Sequence, residues 1–159
     1  MSPLPPRYTP KQGTGTKQDR VQLECFLSLA YGFEQMSPRP KHLADMVENF
    51  FDAHHTPLFF VTSQDQDQPV GCLWMGRATD QRSGTAQAYI FLVAVDPEHQ
   101  RQGIGTYLLS KAQEQTQQWG LSELALQVYA DNQSALKLYE KLGFVVKSQL
   151  LAWTLEPKD

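Results

Sequence analysis

A chain of 159 residues, 41% apolar and 19% charged, suits one domain with a buried core and excludes disordered and fibrous classes. The net charge of −3, with Lys and Arg scattered, argues against a nucleic-acid surface. The longest apolar run, Tyr89 to Val95, is far short of the roughly 20 residues of a membrane helix, and Met1-Ser-Pro-Leu-Pro-Pro lacks a signal-peptide core. A cytoplasmic protein without membrane contact is the expectation.

Residues 1–17 are rich in Pro, Gly, Thr and Lys and read as a tail, with one short strand near Arg7–Lys11. The folded domain is expected over residues 18–159. Val21, Leu23, Phe26, Leu27, Leu29 and Ala30 recur at helical spacing between Gln18 and Phe33, behind Asp19. After the loop Ser37-Pro-Arg-Pro, Leu43, Met46, Val47, Phe50 and Phe51 predict a second amphipathic helix over Lys41–His54, with His54 and His55 at its C-terminal end.

Three strands follow, Pro57–Thr62, Val70–Ala78 and Ala86–Val95, divided by the polar turns 63–69 and 79–84. Ile104, Tyr107, Leu108, Lys111 and Ala112 predict a helix from Arg101 or Gln102 to about Trp119, stopped by Gly120. Ser122–Tyr129 reads as a strand. Asp131 is placed to cap a short helix ending at Leu142, with Gly143 at its C′ position, and Phe144–Leu155 as one or two closing strands. A helix between the strands near residues 90 and 125 is a crossover, so those two strands should be parallel within an α/β domain. Cys25 and Cys72 lie far apart in apolar stretches and read as reduced, buried small hydrophobes, with neither disulfide nor zinc implied.

The chemistry concentrates in Val93-Ala-Val-Asp-Pro-Glu-His-Gln-Arg-Gln-Gly-Ile-Gly-Thr. A strand ends, a loop follows, and two glycines open a helix whose first N–H groups lack internal partners and carry the positive end of the dipole. Such a terminus binds pyrophosphate or another anion, and Arg101 could add a charged donor. The phosphate loop of nucleotide triphosphatases needs Gly-Lys-Ser/Thr, which is absent. The dinucleotide fingerprint needs a third glycine where Leu108 stands.

Gln100-x-x-Gly103-x-Gly105 after a strand and a Val-Asp-Pro-Glu turn resembles the acetyl-CoA loop of the GNAT superfamily of N-acetyltransferases. Asp131-Asn-Gln-Ser-Ala-Leu-Lys-Leu-Tyr-Glu-Lys-Leu-Gly-Phe resembles that superfamily's Asn…Ala…Tyr…Leu-Gly-Phe helix, and the likeness is strong from about Ala86 to Phe144. It implies a mixed, mostly antiparallel sheet flanked by helices, with a central parallel strand pair splayed to hold CoA. Backbone groups of Val93, Ala94 and Val95 would meet the pantetheine arm and thioester carbonyl. The amides of Gln100, Arg101, Gln102, Gly103, Ile104, Gly105 and Thr106 would hold the pyrophosphate. Asn132 would bond the pantetheine region, and Tyr139 would protonate the departing thiolate. The implied co-substrate is acetyl-CoA without a metal, and the acceptor is an amine of a small molecule, a peptide N-terminus or a lysine. Edge strands in this fold often pair between subunits, which leaves a homodimer open.

One departure bears on the acceptor. The ribosomal-protein alanine acetyltransferases carry Leu-Glu-Val with the Glu as base, and this chain has Leu126-Gln127-Val128. Gln127 accepts no proton, so a CoA-binding module without turnover is the alternative reading. Glu98 in Asp-Pro-Glu reads as a first-turn residue suiting the helix dipole, while Glu34, between the first two helices, could meet an ammonium group.

Overall fold

A computed structural model describes residues 2–156, which form two compact units divided between Gln127 and Val128. The first unit carries one sheet of five strands in the order β1 (Tyr8–Gln12), β2 (Leu58–Ser63), β3 (Gln66–Thr79), β4 (Ala86–Val95) and β5 (Leu124–Leu126). The first four run antiparallel to their neighbours, and β5 runs parallel to β4. That parallel pair spans the crossover, as chain order predicts.

Helix α1 (Lys17–Ala30) begins where Thr16 Oγ1 accepts the Asp19 amide at 3.1 Å. That bond satisfies a donor the helix start leaves open, and the Asp19 carboxylate in turn accepts the Thr14 and Gly15 amides at 2.8 and 3.2 Å, which ties the preceding turn to the helix. Helix α2 (Lys41–Phe50) is shorter than its sequence pattern suggests. It ends at Phe51 because Asp52 folds the next residues into a turn, its Oδ1 accepting the amides of His54 and His55. Those histidines therefore lie in a turn and not on the helix end.

Leu23, Phe26, Leu27, Leu43 and Val47 of these helices pack on Leu58, Phe60, Cys72, Trp74 and Leu92 of the sheet. Side chains alternate along a strand, so Phe59 faces the other side, where Lys111 of α3 (Ile104–Gln118) lies over its ring. Ile104, Leu108, Leu109 and Ala112 bury α3 on that face. Gly120 closes the helix at φ 71°, with Gly120 and Leu121 amides returning to Gln117 and Thr116 carbonyls. The polar stretch 63–69 is not all turn. Strand β3 starts at Gln66, and Pro69 falls where the ladder to β2 is broken between Val61 and Ser63, so its missing N–H costs no ladder bond.

The second unit contains α4 (Gln133–Lys141). Its N-cap is Asn132, not Asp131: Asn132 Oδ1 accepts the Ala135 amide at 3.3 Å. Residues 144–155, read as closing strands, carry no strand among the described residues. The β-rich composition is there, but a strand needs a ladder partner. Cys72 is buried and free, as read; Cys25 is free but only half-buried, and its sulfur receives an N–H from Arg39 at 3.2 Å.

Candidate active site

Strand β4 pairs with β3 along its whole length but with β5 only from Ala88 to Ile90. Trp74 stands opposite Leu92 and Met75 opposite Ile90, so Phe91 is an extra residue, a β-bulge that re-aims the strand beyond it. Phe91 and Leu92 consequently both pack on the α1–α2 side. The Phe91 ring lies across Gly76, where an added Cβ would sit 2.7 Å from it, and stacks at 5.1 Å from Trp74 and 5.7 Å from Tyr89. Past the bulge, Val93, Ala94 and Val95 are half-buried and have left β5 behind. Sequence periodicity could not show this bulge, since Tyr89–Val95 is uniformly apolar.

Asp96 ends the strand. Its amide donates to the Val70 carbonyl at 2.8 Å and its Oδ1 accepts the Glu98 amide, capping the short 3-10 turn Pro97–His99. Glu98 is thus a first-turn residue, exposed. Gln100, Arg101, Gln102 and Gly103 form an exposed loop, strapped by Gln100 Nε2 donating to the Val95 carbonyl at 3.4 Å. Arg101 adopts φ 63° and Gly103 φ 84°. A left-handed non-glycine residue costs of order 1 kcal/mol, and such conformations gather at ligand clamps. Gly103 is the N-cap of α3, and a Cβ there would meet no atom within 4 Å. Its glycine answers to backbone conformation, and the space over it is open.

The first intrahelical bond of α3 is donated by Tyr107 to the Gly103 carbonyl, so the Ile104, Gly105 and Thr106 amides precede the ladder. Ile104 is buried, and its Cγ2 would stand 2.7 Å from a Cβ on Gly71. That glycine on β3 lets the helix start descend onto the sheet. The strand end Val93–Val95 and the loop Gln100–Thr106 are therefore brought together in the first unit. Left-handed turns and unpaired amides at a helix N-terminus make a cradle for an anion, with room for close approach.

Asn132 and Tyr139 stand on α4 in the second unit. Gly143, at φ 92°, returns its amide to the Glu140 carbonyl, and the Phe144 amide returns to the Tyr139 carbonyl at 2.9 Å. This double closure brings the Phe144 ring edge-on to Tyr139 at 5.7 Å. The Leu-Gly-Phe triplet thus fixes the tyrosine's ring. Burial pushes the Tyr139 phenol above its ordinary value of 10, keeping it protonated at neutral pH. Gln127 is exposed just past β5, and Glu34 is exposed between α1 and α2.

Sequence reasoning missed the pairing of His99 with Tyr8. The His99 ring is buried, with Nδ1 2.9 Å from the Tyr8 hydroxyl and Nε2 3.3 Å from Gln66 Oε1. The two residues are 91 positions apart, and no local pattern joins them. Among the described residues no helix is long and apolar enough to cross a membrane, and no three His, Cys, Asp or Glu side chains gather as a metal site.

Comparison with known proteins follows the same residues. Residues 23–144 match the model of the acetyltransferase (GNAT) family. The mycothiol acetyltransferase of Kocuria rhizophila is 38% identical over 55% of this chain and 29% of its own length. The [ribosomal protein bS18]-alanine N-acetyltransferase of Escherichia coli K12 is 45% identical over 36% of this chain and 39% of its own. The matched segments thus span well under half of these curated relatives. A solved structure of AAC(6')-Iy with the bisubstrate analog CoA-S-monomethyl-acetylneamine superposes with a TM-score of 0.71, covering 94% of this chain and 99% of that one at 14% identity. That likeness shows the fold alone. With the family model covering β4, the cradle and α4, the chain belongs to the acetyltransferase (GNAT) family.

Proposed function

We propose that the protein is an N-acetyltransferase that moves the acetyl group of acetyl-CoA to an amine. The observation that carries this reading is the anion cradle at the start of α3, in a family-matched chain. Left-handed Arg101 and Gly103 precede the free amides of Ile104, Gly105 and Thr106, beside a strand whose β5-side edge opens after Ile90. The cradle takes the pyrophosphate of CoA, with the amides of Gln100–Thr106 as donors and the Arg101 guanidinium as added charge. The main chain of Val93, Ala94 and Val95 faces the pantetheine arm and thioester carbonyl.

A thioester is already activated, so alignment, oxyanion stabilisation and proton management are the protein's tasks. The neutral amine attacks the carbonyl carbon, a C–N bond forms, the C–S bond breaks, and the sulfur leaves as thiolate. The Tyr139 hydroxyl supplies the proton that the thiolate needs. An alkylammonium with pKa ~10 is mostly protonated at neutral pH, so the acceptor gives up one proton to a base or water chain before attack, and its nitrogen gives up a second as the amide forms. The role of Tyr139, and of Asn132 toward pantetheine, rests on the resemblance of the α4 residues to the family's helix. Asn132 Oδ1 is engaged as the helix cap, so its Nδ2 protons are what it offers a ligand.

The acceptor class is an amine of a small molecule, a peptide N-terminus or a lysine; the names of the curated relatives point to mycothiol and to an alanine of ribosomal protein bS18, and neither substrate is assigned to this chain. A cytoplasmic location completes the reading, which accommodates a monomer or a homodimer. Gln127 favours one alternative, a CoA-binding module without turnover, because no carboxylate stands in the Leu-x-Val position.

Calorimetric titration with acetyl-CoA tests the reading, with Gly103→Glu/Gly105→Glu as control. Micromolar binding that the double variant abolishes supports it. A well-folded wild type that binds no acetyl-CoA overturns it. Acetyl-CoA consumption across an amine panel, slowed by Tyr139→Phe, excludes the module without turnover.

A further inference from the structure

We infer that a hydrogen-bonded relay from β1, Arg7–Tyr8–His99–Gln66, positions the CoA-binding loop, with His99 as its positioning residue. The inference rests on the acetyltransferase reading above, and it assigns a function to a strand that lies outside the family-matched residues 23–144.

The direction of the relay follows from donor and acceptor chemistry. An arginine side chain has donors only. Arg7 Nη2 is 2.7 Å from the Tyr8 hydroxyl and 3.2 Å from His99 Nδ1. Tyr8 oxygen therefore accepts from Arg7 and turns its own proton to His99 Nδ1, 2.9 Å away. Nδ1 faces two donors and must accept, which places the imidazole proton on Nε2. Nε2–H then donates to Gln66 Oε1 at 3.3 Å. Every bond runs the same way, from a guanidinium toward a carboxamide oxygen.

The ring is held on both nitrogens, and the Tyr8 ring meets it edge-on at 5.7 Å. Tyr8 and His99 are 4% and 6% exposed, so neither is a rim contact that water could replace. Asp65, 3.8 Å from Arg7, sits in the turn beside Gln66 and completes the ring of contacts across β1, the β2–β3 turn and the Pro97–His99 turn. His99 is the last buried residue before the exposed loop, and Ile104 is the first buried residue after it. The intervening four residues include both left-handed positions. A loop held in that conformation needs fixed ends, since a strained backbone persists only where its surroundings over-determine it. The Ile104 end is fixed by packing on Gly71, and the His99 end by the relay.

Two variants of the full chain separate positioning from general stability. Tyr8→Phe removes the hydroxyl's bonds to Arg7 and to His99 and keeps the ring, while His99→Leu removes the contacts of both ring nitrogens and leaves the Tyr8 hydroxyl proton without its acceptor. CoA affinity by calorimetry falls about threefold in Tyr8→Phe and about tenfold in His99→Leu. Hydrogen exchange speeds up at the amides of residues 100–106 in both, with the central β3–β4 amides keeping wild-type protection. Unchanged CoA affinity in folded Tyr8→Phe and His99→Leu overturns the inference. So does exchange that rises equally in the loop and in the central strands, the mark of a merely structural role. Should His99→Leu fail to fold, Tyr8→Phe decides by the same two readouts. A wild type that binds no CoA overturns the acetyltransferase reading instead, and loop-selective exchange then judges the relay by itself.

Discussion

At the scale of single residues, Tyr139 is the side chain on which the proposed chemistry turns. Its ring is set by the Phe144 closure, and burial raises its phenol pKa, so it is a held proton donor across neutral pH. Removing only the hydroxyl should leave binding intact and slow chemistry. Tyr139→Phe is expected to lower kcat about a hundredfold, the scale of one general acid, with CoA affinity within about twofold of wild type. Steady-state rates alongside calorimetry check the split. The sign of the pH effect follows from the direction of the shift. A phenol held above its ordinary value stays protonated until the pH exceeds 10, so the loss of its proton-donating form must lie on the alkaline side of that value. An activity loss between pH 8 and 9 would have to come from another group, and it should survive in Tyr139→Phe.

At the scale of elements, the helix start and the sheet are coupled through a glycine that has no loop role. Gly71 lies on β3 in ordinary extended backbone, and only its lack of a Cβ admits Ile104. Gly71→Ala places a methyl 2.7 Å from Ile104 Cγ2 and 3.3 Å from Leu108 Cδ1, both buried. Overpacking of this kind costs about 1–3 kcal/mol, and the strain falls on the first turn of α3. The variant should unfold at lower denaturant with an unchanged m-value, and it should bind CoA more weakly than its stability loss alone explains. Unaltered CoA affinity in a destabilised Gly71→Ala would uncouple the cradle from the sheet.

The same scale shows what the sequence could convey. Strand β4 was legible to its end residues, because an apolar run closed by Asp-Pro is a local signal. Helix α3 and its Gly120 stop were legible through helical spacing and C-terminal glycine chemistry. The glycine loop was legible as a motif, and the structure adds that Gly103 is left-handed while Gly105 lies in the helix proper. What stayed hidden depended on partners distant in sequence. The Phe91 bulge is defined by what faces it on β3, and the tether on His99 comes from a tyrosine in the apparent tail. Local competition misled two further readings: Asn132 takes the cap that Asp131 could have taken, and Asp52 ends α2 ahead of its apolar pattern. The strands expected over 144–155 fail for a third reason, since β propensity is a fit to a neighbour and not a property of the segment.

At the scale of the whole molecule, the sheet carries the stability and the ligand should report on it. Every buried apolar side chain among the described residues, from Tyr8 to Ala112, belongs to the first unit, and α4 buries none. The cradle residues Gln100–Thr106 belong to that unit as well, between β4 and α3. A ligand bound there acts on the cooperative core directly, and a ligand that binds the folded chain alone stabilises it by mass action. CoA at about 100 times its dissociation constant adds about 2.7 kcal/mol to the unfolding free energy. For a domain of this size that corresponds to a rise in Tm of about 5–10 °C. Gly103→Glu/Gly105→Glu should lose that rise, since a carboxylate in the cradle repels the pyrophosphate and fills the open space over the loop. The unliganded Tm of the double variant is a separate matter. Gly103 at φ 84° resists a side chain, so its replacement costs about 1 kcal/mol before any ligand is added. Thermal unfolding of both proteins, each with and without CoA, therefore separates the two effects. A wild-type Tm that ignores saturating CoA would remove the cradle from the cofactor's binding site, whatever the strain at Gly103.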